Sequence, residues 1–457
     1  MVGRRVTRLA LTKHLTVHVL CDGTDASSPT ESIPASSDDG LAFQEGRRVS
    51  MGRQFAWLTV SRLLAAGLQA VSLLVLARFA SVPEFALVAG FLGLAAFAQM
   101  AVDFGLSTLA IRERAADPSS DLPAACMALH AKISIALSLL TLAVFLLLGL
   151  IANDVFLALL PLGLWIGADR SADAWAALWV ADGYASRSAL SVVIRRATTL
   201  GGFATLAWLG LDAVLAFASA SGLVSVAAAV IVRRAVSVRL APRASESKTR
   251  LVAKGRSFWV NSAVTQARNV DVALTGALVG AVEAGLFAIP ARLTGPLRLV
   301  SASLATVLLP AAARARSSAE VTRLLRISAV AWLALSVLYV GCAAVVPAVL
   351  PVVLGEAYSG AVVPLQVTLV GLAAASAASL LNALLQGLGR QRAVALTSTA
   401  TTGFYIAFVG AGAIVNGAIG AAVGGAVAYL VQACLLVSYM SIRPSVIRCR
   451  SGWGSIA

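Results

Sequence analysis

Six stretches of the chain contain no Lys or Arg: residues 79–111, 133–169, 197–232, 269–291, 327–389 and 393–442. Basic residues are gathered between them: Arg112 and Arg114, then Arg187, Arg195 and Arg196, the run from Arg233 to Arg256, the group from Arg314 to Arg326, and Arg390 with Arg392. Cytoplasmic flanks of membrane spans retain Lys and Arg, and translocated flanks are depleted of them. Each basic-free stretch is therefore centred on one outward turn. Six such turns predict twelve spans, with both ends of the chain cytoplasmic and marked by Arg47, Arg48 and Arg53 and by Arg443, Arg448 and Arg450.

Composition agrees. Hydrophobic residues make up 59% and charged residues 12% of 457, against roughly 45–50% and about 25% in soluble domains. Mean hydropathy is +0.87. A disordered chain, a disulfide scaffold and an ordinary soluble enzyme are excluded. The formal charge of +15 is spent on loop flanks, so it calls for no nucleic acid. The expected spans are 56–80, 84–108, 124–151, 155–180, 188–210, 213–236, 257–280, 284–310, 323–348, 361–386, 393–413 and 417–440. Each is long enough for a hydrocarbon core of about 30 Å. This is an all-α membrane protein of twelve transmembrane helices in two six-helix lobes. The N-lobe is 51–240 and the C-lobe 257–440, joined by a basic cytoplasmic linker at 241–256 and followed by a cytoplasmic tail at 441–457.

Residues 1–50 read differently. Positions 21–46 carry six acids and no base, with many Ser; such a segment cannot bury a core and reads as a disordered cytoplasmic extension. Lys13, His14 and His18 interrupt its one apolar run, which argues against a signal peptide, and Met51 is an alternative start. The five cysteines have no CxxC spacing, so neither a zinc site nor a disulfide framework is expected.

An internal repeat is visible. Val82–Pro83–Glu84–Phe85–Ala86–Leu87 follows the first span, and Val282–Glu283–Ala284–Gly285–Leu286–Phe287 follows the seventh. Each places a Glu at an outward turn before a returning helix. Six spans per half insert both halves the same way up, a parallel pseudo-repeat with a cavity between lobes. Chance similarity between apolar segments is the alternative.

Charged side chains inside spans cost about 2.5–3.5 kcal/mol each on the insertion scale and mark cavities or partners. Spans one, seven and eight carry Arg62, Arg78, Arg268, Arg292 and Arg298, and spans two and seven carry Asp103 and Asp271. The excess is positive. Arg268 and Asp271 are three residues apart, so a local pair is expected. Guanidinium groups fit phosphate oxygens in a bidentate manner, so these arginines are the candidate binding residues for an anion, with Arg78 close enough to the outer interface to snorkel instead. Asp103 and Asp271 are candidates for coupling to a cation, H+ or Na+. Asp169, Arg170 and Asp173 on span four read as a self-neutralising clamp. The chain has no GxxxxGK[ST] and no HExxH, and its outer acids (Glu84, Asp154, Asp212, Glu283 and Glu356) are scattered. Neither ATP hydrolysis nor metal-dependent catalysis has material, and no cofactor is expected.

Several of these segments together resemble a known family. Arg78–Phe79, Pro83–Glu84–Phe85–Ala86 and Asp103–Phe104–Gly105–Leu106 resemble the start of polysaccharide-biosynthesis flippases. Asp271, Glu283–Ala284–Gly285–Leu286–Phe287, Ala291–Arg292–Leu293, Leu309–Pro310 and Gln386–Gly387–Leu388–Gly389–Arg390 extend the resemblance over 50–440. Those flippases belong to the multidrug/oligosaccharidyl-lipid/polysaccharide exporter (MOP) superfamily, which includes the MATE exporters. The resemblance implies a MATE-like fold with spans one, two, seven and eight around a central cavity. It implies a secondary-type transporter, not an enzyme, that flips an isoprenoid-diphosphate-linked glycan from the inner to the outer leaflet of the cytoplasmic membrane. Expected partners are that glycan, membrane lipids, and glycosyltransferases and a polymerase of the same pathway. The readings kept beside it are a MATE-like exporter of small organic molecules and a membrane-embedded glycan ligase or polymerase.

Overall fold

A computed structural model describes residues 51–240, 247–315 and 317–442. The expectations for the extension at 1–50, for part of the linker and for most of the tail lie outside these residues. Among them there is no strand.

The first half holds α1 (Met51–Phe79), α2 (Val82–Asp103), the short α3 (Leu106–Ala116), α4 (Leu122–Ile151), α5 (Leu160–Ala181), α6 (Ala185–Trp208) and α7 (Ala213–Ser237). The second holds α8 (Lys248–Gln266), α9 (Asp271–Val279), α10 (Ala281–Leu293), α11 (Gly295–Arg314), α12 (Ser318–Leu354), α13 (Val362–Gly387) and α14 (Gln391–Ile442). Nine segments among the described residues are long and apolar enough to cross a membrane. The last of these is two rods, because Asn416 and Gly417 leave helical backbone and Gly417 takes a φ of 51°. The expected twelve is reached only by also counting α6, which carries Arg187, Arg195 and Arg196, and the broken α8–α9.

Local sequence explains the boundaries. α2 opens with a capping box: Glu84 N–H donates to Ser81 Oγ at 3.4 Å, and Ser81 N–H to Glu84 Oε2 at 2.8 Å, satisfying two orphan donors reciprocally. Asp212 Oδ1 caps α7 by accepting from Val214 and Leu215 N–H, both at 3.0 Å. The two rods of α14 fold back as a hairpin whose glycines touch. A Cβ on Gly420 would overlap the Gly412 carbonyl, and one on Gly424 the Phe408 carbonyl. Small residues let helix backbones approach this closely.

The halves meet along α2, which packs against α9 and α10. At the end where the basic-free stretches turn, the seam is shut. Gly285 seats on the Val82 carbonyl, Phe85 meets Tyr358 edge-on with centroids 6.1 Å apart, and Arg78 donates to the Leu354 carbonyl at 3.5 Å. Near the basic end, Phe104 (φ 50°) and Gly105 (φ 72°) turn α2 into α3 against Gly255, and Trp259 Nε1 donates to the Ala101 carbonyl at 2.7 Å. The two turns that suggested a repeat are built differently. Glu84 caps its own helix, whereas Glu283 reaches across to accept from Ala418 N–H at 2.7 Å.

Candidate functional site

Spans seven and eight are discontinuous. A 3₁₀ turn, Ala267–Val270, separates α8 from α9, and Thr294 separates α10 from α11, whose second residue is Pro296. Pro lacks the N–H that a continuous helix needs, and Thr294 Oγ1 donates to the Pro290 carbonyl at 2.8 Å across the break. Interrupted spans expose backbone groups and commonly flank the binding site of a transporter. Spans one and two, by contrast, are unbroken.

Three arginines sit at these breaks. Arg268 donates to Thr402 Oγ1 at 3.0 Å, Thr401 Oγ1 at 3.1 Å and Gln432 Oε1 at 3.1 Å. Its guanidinium carbon lies 5.4 Å from the Tyr429 ring centroid and 5.6 Å from that of Tyr405. Arg298 lies over the same Tyr429 ring at 5.6 Å. Ring faces attract cations, and this lets two like charges share one aromatic. Arg292 donates to the Ala89 carbonyl and to the Asn269 carbonyl, and its Nη2 is 3.7 Å from Asp271 Oδ1. Asp271 also accepts from Tyr405 Oη at 3.0 Å. The cluster thus sets three guanidinium groups against one carboxylate.

The expected local pair of Arg268 with Asp271 does not form. Arg268 is taken by Thr401, Thr402 and Gln432, and Asp271 by Arg292 and Tyr405. Arg78 is remote from the cluster, in the seam at the opposite end. Arg62 is exposed in the fourth turn of α1 and shares none of the cluster's contacts. Thus Arg268, Arg292, Arg298 and Asp271 come together, and Arg62, Arg78 and Asp103 do not join them. Tyr405, Tyr429, Gln432, Thr401 and Thr402 were missed; the run of hydroxyl residues at 397–402 in an otherwise apolar span was the available signal.

Charges in the interior of the first half are matched. Asp103 is buried between His130 Nδ1 at 2.6 Å, Ser107 Oγ at 2.8 Å and Arg170 Nη2 at 3.4 Å. Asp169 meets Arg195 Nε and Arg196 Nη2, both at 3.2 Å, and Asp173 pairs with Arg195. The expected triad on span four is therefore corrected. Arg170 turns to Asp103, and the two acids are held by arginines of α6.

The same helical fold is found in solved membrane transporters of the MOP superfamily. A MATE family multidrug transporter in its inward-facing conformation superposes with a TM-score of 0.67 at 14% identity, over 84% of this chain and 95% of that one. The outward-facing conformation of such a transporter gives 0.58 at 16% identity, over 86% and 96%. The lipid II flippase MurJ, in an inward closed conformation, gives 0.67 at 12% identity, over 84% and 87%. In sequence, residues 51–164 match the family described as polysaccharide biosynthesis protein. No curated protein matches the chain in sequence.

Proposed function

We propose that the protein is a flippase for isoprenoid-diphosphate-linked glycans, working by alternating access in the cytoplasmic membrane with both termini cytoplasmic. The observation that carries this reading is the cluster of Arg268, Arg292 and Arg298 against the single carboxylate of Asp271, at the breaks of spans seven and eight. A diphosphate is doubly or more negatively charged, and guanidinium forks match its oxygens. In a low-dielectric site such contacts gain strength. The match of residues 51–164 to polysaccharide biosynthesis proteins agrees with a glycan cargo. So does the likeness to the lipid II flippase. The seam shut at the end where the basic-free stretches turn, with the higher score to an inward-facing relative, supports loading from the basic side. Arg268 and Arg298 hold the anion in this scheme, Arg292 ties the lobes, and Arg62 and Arg78 line the path toward and away from the site. An organic-cation exporter fits the surplus of positive charge poorly. Glycosyltransferases supply the substrate and a polymerase consumes the product.

A proton is the coupling ion that the first half favours, because the Asp103 carboxylate and the His130 imidazole are in direct contact and each can carry a proton. Asp271, facing Arg292 and Tyr405, is the second candidate.

The test is reconstitution in vesicles with a fluorescent short-chain polyprenyl diphosphate carrying N-acetylglucosamine, read by quenching of the outer leaflet. Arg268→Ala and Arg298→Ala are each expected to slow flipping at least about tenfold, or about 1.4 kcal/mol of transition-state stabilisation. Full-rate flipping by both variants would overturn the assignment.

A further inference from the structure

We infer that the second half also contains a chamber for uncharged sugar, adjoining the cationic cluster but chemically distinct from it. This rests on the flippase reading and names the part of the substrate that the cluster does not hold.

A cleft of about 730 Å³ opens between α8, α13 and both rods of α14, within the range of about 300–1,000 Å³ typical of small-molecule sites. Its wall includes Ser379, Asn382, Gln386, Gln391, Ser398 and Gln432. Primary amides and hydroxyls both donate and accept, which is also what each hydroxyl of a sugar ring does. The wall contains no Asp, Glu or Lys, and its one charged side chain is Arg268. Arg268 is already bonded on the chamber side to Thr401, Thr402 and Gln432. Nothing there would bind an amino sugar through a carboxylate, and no second cation stands ready for a uronic acid.

Polar groups within a membrane-spanning bundle are retained where they serve a function, and buried polar atoms are nearly always partnered. Asn382 lines the chamber, and its Oδ1 is buried behind that surface without a hydrogen-bond partner. Arg298 Nε and Thr368 Oγ1 are in the same condition in the small adjoining cavity. Tyr429 lines both spaces. The chamber itself therefore has two characters, a cationic end at Arg268 and an uncharged polar end at Asn382, with Arg298 behind the Tyr429 ring. The cavity of about 490 Å³ that α2 and α4 share with the second half has no such wall: its single hydroxyl is Thr141 and the remainder is Ala, Leu, Phe, Val, Ile and Gly.

The experiment uses the full chain in detergent and three probes: farnesyl diphosphate, the same diphosphate bearing N-acetylglucosamine, and free neutral mono- and disaccharides. Wild-type protein is expected to bind the glycosylated diphosphate at least tenfold more tightly than farnesyl diphosphate. Asn382→Leu and Gln386→Leu are each expected to abolish that preference while holding farnesyl diphosphate within about twofold of wild type. Retention of farnesyl diphosphate binding also shows that these variants fold. Equal affinity of wild type for the two diphosphates, or an unchanged preference in both variants, sinks the chamber and leaves the anion site standing. Binding of free saccharide, lost in Asn382→Leu, with no affinity for either diphosphate sinks the anion site and keeps the chamber. Failure of all three probes ends both.

Discussion

Arg292 Nη2 donates to the Ala89 carbonyl at 2.9 Å, and that bond ties α10 of the second half to α2 of the first. One turn beyond Ala89, Gly93 leaves the guanidinium its space: a Cβ there would overlap Arg292 Nη2 and the Asn269 carbonyl. Gly93→Ala is therefore expected to destabilise the protein by about 1–3 kcal/mol, as overpacked sites do. Gly67, which has nothing within 4 Å of an added Cβ, should accept Ala without loss. Thermal unfolding in detergent separates the two; equal melting points would contradict the tie.

Arg195 is 2% exposed and serves Asp169 and Asp173 together. Removing one partner of a buried ion pair costs about 3–5 kcal/mol, because the other charge stays behind uncompensated. Arg195→Met should sharply reduce the yield of monodisperse protein. Asp173→Asn should do less, since that side chain is 41% exposed. Size-exclusion profiles of the two variants check the order.

The α14 hairpin supplies a third comparison. Gly420→Leu drives a side chain into the Gly412 backbone, whereas Gly403→Ala meets nothing. The first is expected to prevent a folded product. The second should be neutral or gain up to about 1 kcal/mol from helix propensity. Protease resistance of the purified proteins is the readout.

His130 lies between Asp103 and Ser134 within the first half. His130→Gln preserves hydrogen bonding but cannot titrate. Flipping by wild type should respond to a proton gradient imposed across vesicles, and flipping by the variant should not. A gradient response that survives the substitution would exclude this residue as the proton carrier.

The helical class and the order of the rods were legible because membrane insertion leaves a one-dimensional trace: apolar length and the placement of Lys and Arg. The turn at Val82–Pro83–Glu84 was likewise visible, since a capping box is a local device. What α8 does at 267–270 was not. Arg268 within that turn is bonded to Thr401, Thr402 and Gln432, more than 130 residues away, and such partners leave no local trace in the sequence. The same holds for the ion pairs of span four. Arg170 has acids on both sides in sequence, yet the partner it meets is Asp103 on another helix. Counting charges found the positive surplus; assigning each charge to a neighbour needed the packing.

The seam at the end where the basic-free stretches turn joins Val82 to Gly285, Phe85 to Tyr358 and Arg78 to the Leu354 carbonyl. None of these three contacts pairs a cation with a carboxylate. Dissolved electrolyte on that side therefore has little purchase on these three contacts. In the proposed scheme this leaves the opposite mouth, where the cargo would settle, as the place from which the seam is opened.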